Sequence, residues 1–307
     1  MTPAFVGSEL TGFVATRTMQ QRDPALDLAA AVAISGAAVS SNMGGQTIRL
    51  MSFTLALLNL RLGYYLPNPN RRPDRGGKAK EWLGQLYEAL LARMFLLLEM
   101  LNMLDENRKL VYLTDGGHID NLGLYALLRR KCGLIMVIDA EEDQALSFGS
   151  LLKLERYART DLGARIELPW QEIAQSARQV AEQLPTHAVQ PRHGPHCAFG
   201  RIVYADGTKG MLVYVKSSLS GDEKDYLLDY ALRNPAFPHE STGDQFFDEE
   251  QFEAYRALGF HMLDRVFGQG EAIAIKTDGH YGFASADAAW NELNGLLPAD
   301  PTGKDGT

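Results

Sequence analysis

The chain has 307 residues, 46% hydrophobic and 22% charged, an ordinary globular composition that is long enough to bury a sizeable core and argues against disorder. A formal net charge of -8 argues against nucleic acid as a partner, because phosphate binding draws on a basic surface. Only Cys132 and Cys197 are cysteines, no apolar stretch has membrane-spanning length, and the amino terminus lacks a basic-then-apolar signal, so the chain reads as cytoplasmic without a disulfide framework.

Residues 1–20 show no helix or strand start, as though the sequence began inside a domain. From Asp23-Pro24 the chain turns alanine-rich, and Leu26 to Ala38 reads as a helix of small residues that stops at Ser40-Ser41-Asn42-Met43-Gly44-Gly45. Ser35 lies in a small-x-Ser-x-small context like that of a nucleophile elbow. However, Ala33 and Ala37 stand where the strained turn needs glycine. Ile48 to Leu60 has an apolar helical face. After Tyr64-Tyr65-Leu66-Pro67 comes a basic loop, Arg71 to Lys80, broken by proline and glycine. Aromatic residues beside basic ones can seat a protein peripherally on a lipid surface, and the same stretch also reads as a solvated linker. Glu81 to Leu104 is a long amphipathic helix.

Leu110 to Ile138 is the stretch around which the rest is organised. A branched and aromatic run ends at Asp115-Gly116-Gly117-His118, passes into helical spacing, and returns to an apolar run at Leu134 to Ile138. That order predicts strand, turn, helix and strand, with Val111 and Val137 in one sheet. Paired glycines admit backbone dihedrals closed to other residues, so Asp115 can be presented at a strand end with main chain close beside it. In open α/β sheets that edge is where ligands bind. Asp115 equally reads as the cap of the following helix. His118 could orient Asp115 or a substrate, or simply pack. Glu141-Glu142-Asp143 forms an acidic loop at the same sheet edge.

Leu151 to Thr160 and Trp170 to Leu184 read as helices around a short strand near Ala164 to Leu168. Phe199 to Tyr204 and Met211 to Val215 form a hairpin across Asp206-Gly207-Thr208. Asp222 to Leu232 is helical, Asn234 to Thr242 is too proline-rich to be regular, and Glu249 to Phe267 is a last amphipathic helix. His187, His193, His196 and Cys197 raise a zinc reading. Only His193-x-x-His196 approaches ligand spacing, and the surrounding prolines and glycine read as a surface loop, so no metal is expected. No P-loop, Gly-x-Gly-x-x-Gly or Gly-x-Ser-x-Gly occurs, and no cofactor is expected.

Four blocks, in order, carry a family resemblance: Thr2 to Ser8, Ala33 to Gly44, Thr114 to Tyr125, and Phe237-Pro238-His239-Glu240-Ser241-Thr242-Gly243-Asp244-Gln245-Phe246-Phe247. Together they resemble the carboxy-terminal portion of the patatin-like phospholipases, in the branch that also resembles cytosolic phospholipases. The resemblance implies an α/β, patatin-like three-layer fold, present in part, with a central sheet covered by helices on both faces. It would span residues 1–298, with 299–307 as a flexible tail. It implies hydrolysis of a lipid or acyl-ester substrate by a Ser/Asp dyad in which Asp115 takes the serine's proton and later activates water against the acyl-enzyme. Gly116 and Gly117 would shape the turn, and His118 and Asn121 would support it. His239 and Asp244 lie in the fourth block with no assigned role. The family's nucleophile elbow and glycine-rich oxyanion loop lie upstream of the first block, where this sequence begins. The serine is therefore expected from another stretch of protein, such as a complementing amino-terminal polypeptide, and the isolated chain is expected to be inactive. The alternative is a non-catalytic remnant, or a binding or structural subunit.

Overall fold

The computed structural model describes residues 3–8, 10–35, 64–70, 106–107, 109–113, 115–186, 194–241, 246–267, 272–275, 281–283 and 291. The helices expected at Ile48 to Leu60 and Glu81 to Leu104, the Arg71 to Lys80 loop, and His187, His193 and Asp244 lie outside the described residues. The chain divides into two compact units, Met1–Asn121 and Leu122–Thr307.

In the first unit, β1 (Phe5–Ser8) and β2 (Gly12–Ala15) form an antiparallel hairpin, followed by α1 (Thr16–Arg22) and α2 (Leu28–Ser35). The residues that showed no start signal are thus regular from Phe5 onward. The hairpin is closed by reciprocal side-chain bonds: Ser8 N–H donates to Thr11 Oγ1 (3.0 Å) and Thr11 N–H donates to Ser8 Oγ (3.2 Å). A Ser/Thr closure of this kind carries no Asn-Gly signature, which is why the turn is hard to read in the sequence. β3 (Tyr64–Pro67) pairs antiparallel with β4 (Leu110–Leu113), with Tyr65 opposite Tyr112 and their ring centroids 4.9 Å apart. Val6, Met19, Leu26, Ile34 and Leu66 make a small core, flanked by Val14, Tyr64 and Leu113.

The second unit runs α3 (Leu124–Arg129), β5 (Leu134–Asp139), α4 (Gly149–Leu162), β6 (Arg165–Glu167), α5 (Gln171–Gln183), β7 (Cys197–Val203), β8 (Lys209–Lys216), α6 (Asp225–Arg233), α7 (Glu249–Phe267), β9 (Ala272–Ile275) and β10 (Tyr281–Phe283). Its sheet has the order β10-β9-β7-β8-β5, and β6 pairs with β7. The sheet is mixed: β5 runs parallel to β8 and β9 parallel to β7, whereas the β7–β8 hairpin is antiparallel. The expected hairpin turn forms, with Asp206 Oδ1 accepting from Thr208 N (3.0 Å) and Thr208 Oγ1 (2.6 Å).

β8 shows how the layers are built. Met211, Val213 and Val215 enter a core with Leu227 and Tyr230 of α6 and Ala254, Leu258 and Met262 of α7. Leu212 and Tyr214 enter a second core with Leu124 and Leu128 of α3, Leu151 and Leu154 of α4, and Ile173 of α5. Alternate residues of a strand point to opposite faces, so helices cover both faces of the sheet at this strand and the class is α/β.

One expectation is corrected. Val111 and Val137 do not share a sheet: β4 hydrogen-bonds to β3, and β5 to β8. The strand–turn–helix–strand order is present locally, but the antiparallel Tyr64–Pro67 strand takes the β4 ladder. β5 also departs from the habit of parallel strands, which are usually buried on both faces. Ile135 and Val137 are buried, whereas Leu134, Met136 and Ile138 on the other face are 38%, 48% and 58% exposed.

Candidate active site at the Asp115 corner

Asp115 follows the end of β4 and is half-buried. It caps a single 3-10 turn, Gly116–His118, by accepting the Gly117 N–H on Oδ1 at 2.8 Å. The turn continues with Ile119 N and Asp120 N donating to Gly116 O (3.0 and 2.9 Å). The cap is therefore on this short turn and not on α3, whose own N-cap is Gly123. Among the described residues, no group donates to Asp115 Oδ2 and no cation pairs with this carboxylate. An aspartate placed in this way is fixed by one oxygen and offers the other.

The glycine pair does not work through unusual dihedrals as the sequence suggested. Gly116 and Gly117 both lie outside the left-handed region, and the left-handed residue of the corner is Gly123, at φ 67°. Gly117 is required by space. A Cβ there would overlap Asn121 Oδ1 and stand 3.3 Å from Asp115 Oδ1, so the missing side chain lets the Asn121 amide close over the turn. Gly116 has open space around it. Asp115, Gly117 and Asn121 thus lie close together, and His118 is the last residue of the 3-10 turn. Ser35 is the last residue of α2. An elbow serine instead begins a helix, where backbone N–H groups can meet an oxyanion.

A second polar concentration occupies the carboxyl ends of the parallel β5–β8 pair. Asp139 and Lys216 stand opposite each other in register and are 3% and 1% exposed. Lys216 Nζ donates to Asp139 Oδ1 (3.0 Å) and to Glu141 O (3.1 Å), and the Tyr214 hydroxyl donates to Asp139 Oδ2. Burial, and then the Asp139 charge, push the Tyr214 phenol far up, so it stays a donor. His239 from the fourth block reaches the same place, with Nδ1 3.3 Å from Glu141 O, and burial followed by the Lys216 charge pushes its imidazolium down. Every charge here is matched, which makes the group an internal ion pair closing the sheet edge. Of the expected acidic loop, Asp143 holds the turn that precedes α4 by accepting from Ser147 N (2.9 Å) and Phe148 N (2.7 Å). Sequence reading passed over Asp139 and Lys216, although each is a charge ending an apolar strand, and the two signs match.

The surface-loop reading of His196 and Cys197 is also corrected, since both are fully buried. Cys197 sits in the core with α6 and α7, and burial pushes its thiol up, so it is a poor metal ligand. No protein-family model, curated protein or solved structure matches the chain. Among the described residues, no helix is long and apolar enough to cross a membrane.

Proposed function

We propose that the chain supplies the aspartate of a Ser/Asp acyl hydrolase of the patatin-like phospholipase kind, acting on a lipid or acyl ester, with the serine brought by another stretch of protein. The observation that carries this reading is the unshared Oδ2 of a half-buried Asp115, whose Oδ1 is held by the Gly117 N–H. A carboxylate anchored on one side can accept the proton of a serine hydroxyl as its oxygen attacks the ester carbon. The proton then passes to the departing alcohol. Asp115 next takes a proton from water, which attacks the acyl-serine, releases the acid and restores the serine. The α/β class and the apolar row Leu134, Met136 and Ile138 on β5 support the reading, because a further piece of chain laid on that row would bury it. The basic loop Arg71 to Lys80 is the segment proposed to meet the lipid surface.

A second reading is favoured by the same hydrogen bond: Asp115 caps its turn and nothing more, in a non-catalytic subunit or remnant. Ester hydrolysis decides between them. The chain alone should not turn over a p-nitrophenyl ester, and the chain produced together with the coding sequence upstream of Met1 should. If the lone chain were active and Ser35→Ala abolished that activity, the nucleophile would lie within this chain and the proposed division of the dyad would be wrong.

A further inference from the structure

A separate polar cluster lies wholly within the Leu122–Thr307 unit, and its argument does not depend on the Asp115 reading. His196 stands one residue before β7, Asp222 and Glu223 lie between β8 and α6, and His261 is on α7. One ligand-type atom from each lies within 4.8 Å of the other three. His196 and Glu223 are 1% and 5% exposed.

Ligand-type atoms crowd around one hydroxyl in this cluster. Ser218 Oγ lies 3.0 Å from Lys216 O and 3.3 Å from His196 Nδ1. On the other side of the ring, His196 Nε2 lies 2.8 Å from Ser220 Oγ. The same Ser220 Oγ touches Asp222 Oδ1 and lies 3.1 Å from Glu223 Oε1. Three ligand-type atoms from three residues thus converge on Ser220 Oγ. Glu223 is already aimed, its oxygens accepting from Ser220 N (2.6 Å) and Gly221 N (2.8 Å). Buried lone pairs gathered at one point are stabilised by a cation that shares them.

The geometry points to a structural site for a divalent transition-metal ion, zinc being the best match, held by His196 Nε2, His261 Nε2, Asp222 Oδ1 and Glu223 Oε1. Around a four-coordinate zinc with bonds of roughly 2.1 Å, neighbouring donors stand about 3.4 Å apart. Here His261 Nε2 is 3.1 Å from Asp222 Oδ1, and His196 Nε2 is 3.9 Å from Glu223 Oε1. Two imidazoles exclude the hard cations that prefer all-oxygen shells. Groups behind the ligands are also present: Ser218 Oγ lies 3.3 Å from His196 Nδ1, and Arg265, one turn along α7 from His261, forms an ion pair with the other Asp222 oxygen at 3.1 Å. On binding, the ion would take the place of the Nε2 proton through which His261 donates to Asp222, and a neutral ring would carry that proton on Nδ1 instead. The donor set is closed and buried, so the ion would tie the start of β7, the β8–α6 loop and α7 together and would not meet a substrate.

The test uses the full untagged chain, stripped with a chelator and titrated with Co²⁺. One equivalent should produce the visible bands of tetrahedral Co²⁺, and Zn²⁺ should displace them. His261→Gln, which should keep the far-ultraviolet circular dichroism of the parent, is expected to weaken Co²⁺ binding at least about 10-fold. Asp115→Asn should bind Co²⁺ as the parent does, which separates this site from the hydrolase reading. A folded chain without saturable Co²⁺ binding would overturn the proposal and leave a proton on Glu223 as the shared cation. So would a His261→Gln variant that binds as tightly as the parent.

Discussion

Asp115→Asn is expected to lower kcat by between about 100-fold and 10,000-fold in the protein completed by its nucleophile, with almost no change in stability. Asparagine has the same shape and still presents an Oδ1 to the Gly117 N–H, so the 3-10 turn keeps its cap. What it loses is a carboxylate able to accept the serine proton. Asp115→Ala separates the two roles further, because it removes the cap as well and should cost about 1 kcal/mol of stability in addition to the activity. If Asp115 were only a cap, Asn would be harmless in both assays and Ala would affect stability alone. Measuring kcat and the urea midpoint on both variants distinguishes these patterns.

Lys216→Met is expected to destabilise the chain by about 3–5 kcal/mol in urea unfolding followed by circular dichroism. Lys216 and Asp139 are buried side by side at the ends of parallel strands, with Nζ 3.0 Å from Oδ1. Methionine fills a similar volume beside the Phe148 ring, so packing changes little. The cost comes from the Asp139 charge, left inside the fold with only the Tyr214 hydroxyl and the Glu141 N–H to satisfy it. Replacing both partners, as Asp139→Leu with Lys216→Met, should recover much of the loss, because the unpaired charge is gone. About 1–3 kcal/mol should remain for the Tyr214 hydroxyl, which then has no acceptor. A loss under about 1 kcal/mol in the single variant would mean that Lys216 is not a buried partner of Asp139.

Local order was the readable part of this chain. α7 has the bounds Glu249–Phe267 that its amphipathic spacing predicts, and the β7–β8 hairpin turns at Asp206-Gly207-Thr208. The elements around Asp115 likewise follow the change from branched residues to helical spacing. Pairing between distant strands was not readable: β4 joins a four-residue strand at Tyr64–Pro67 that is too short to show a period. Nor was the company of single polar residues. Proline and glycine near His196 suggested an exposed loop, yet the ring is buried against groups from residues 218–223 and from α7. Such clusters depend on three-dimensional neighbours that sequence spacing does not encode. The Asp115 corner was legible because its carboxylate, turn and Asn121 all fall within seven consecutive residues.

The most direct measurement of the proposed divided dyad is labelling with a fluorophosphonate, which marks activated serines, followed by peptide mapping. The chain alone should take no label, and the protein extended upstream of Met1 should be labelled at one serine in the added segment, with Asp115→Asn suppressing the reaction. Stoichiometric labelling of a serine inside residues 1–307, or labelling in the extended protein that is indifferent to Asp115→Asn, would contradict the assignment.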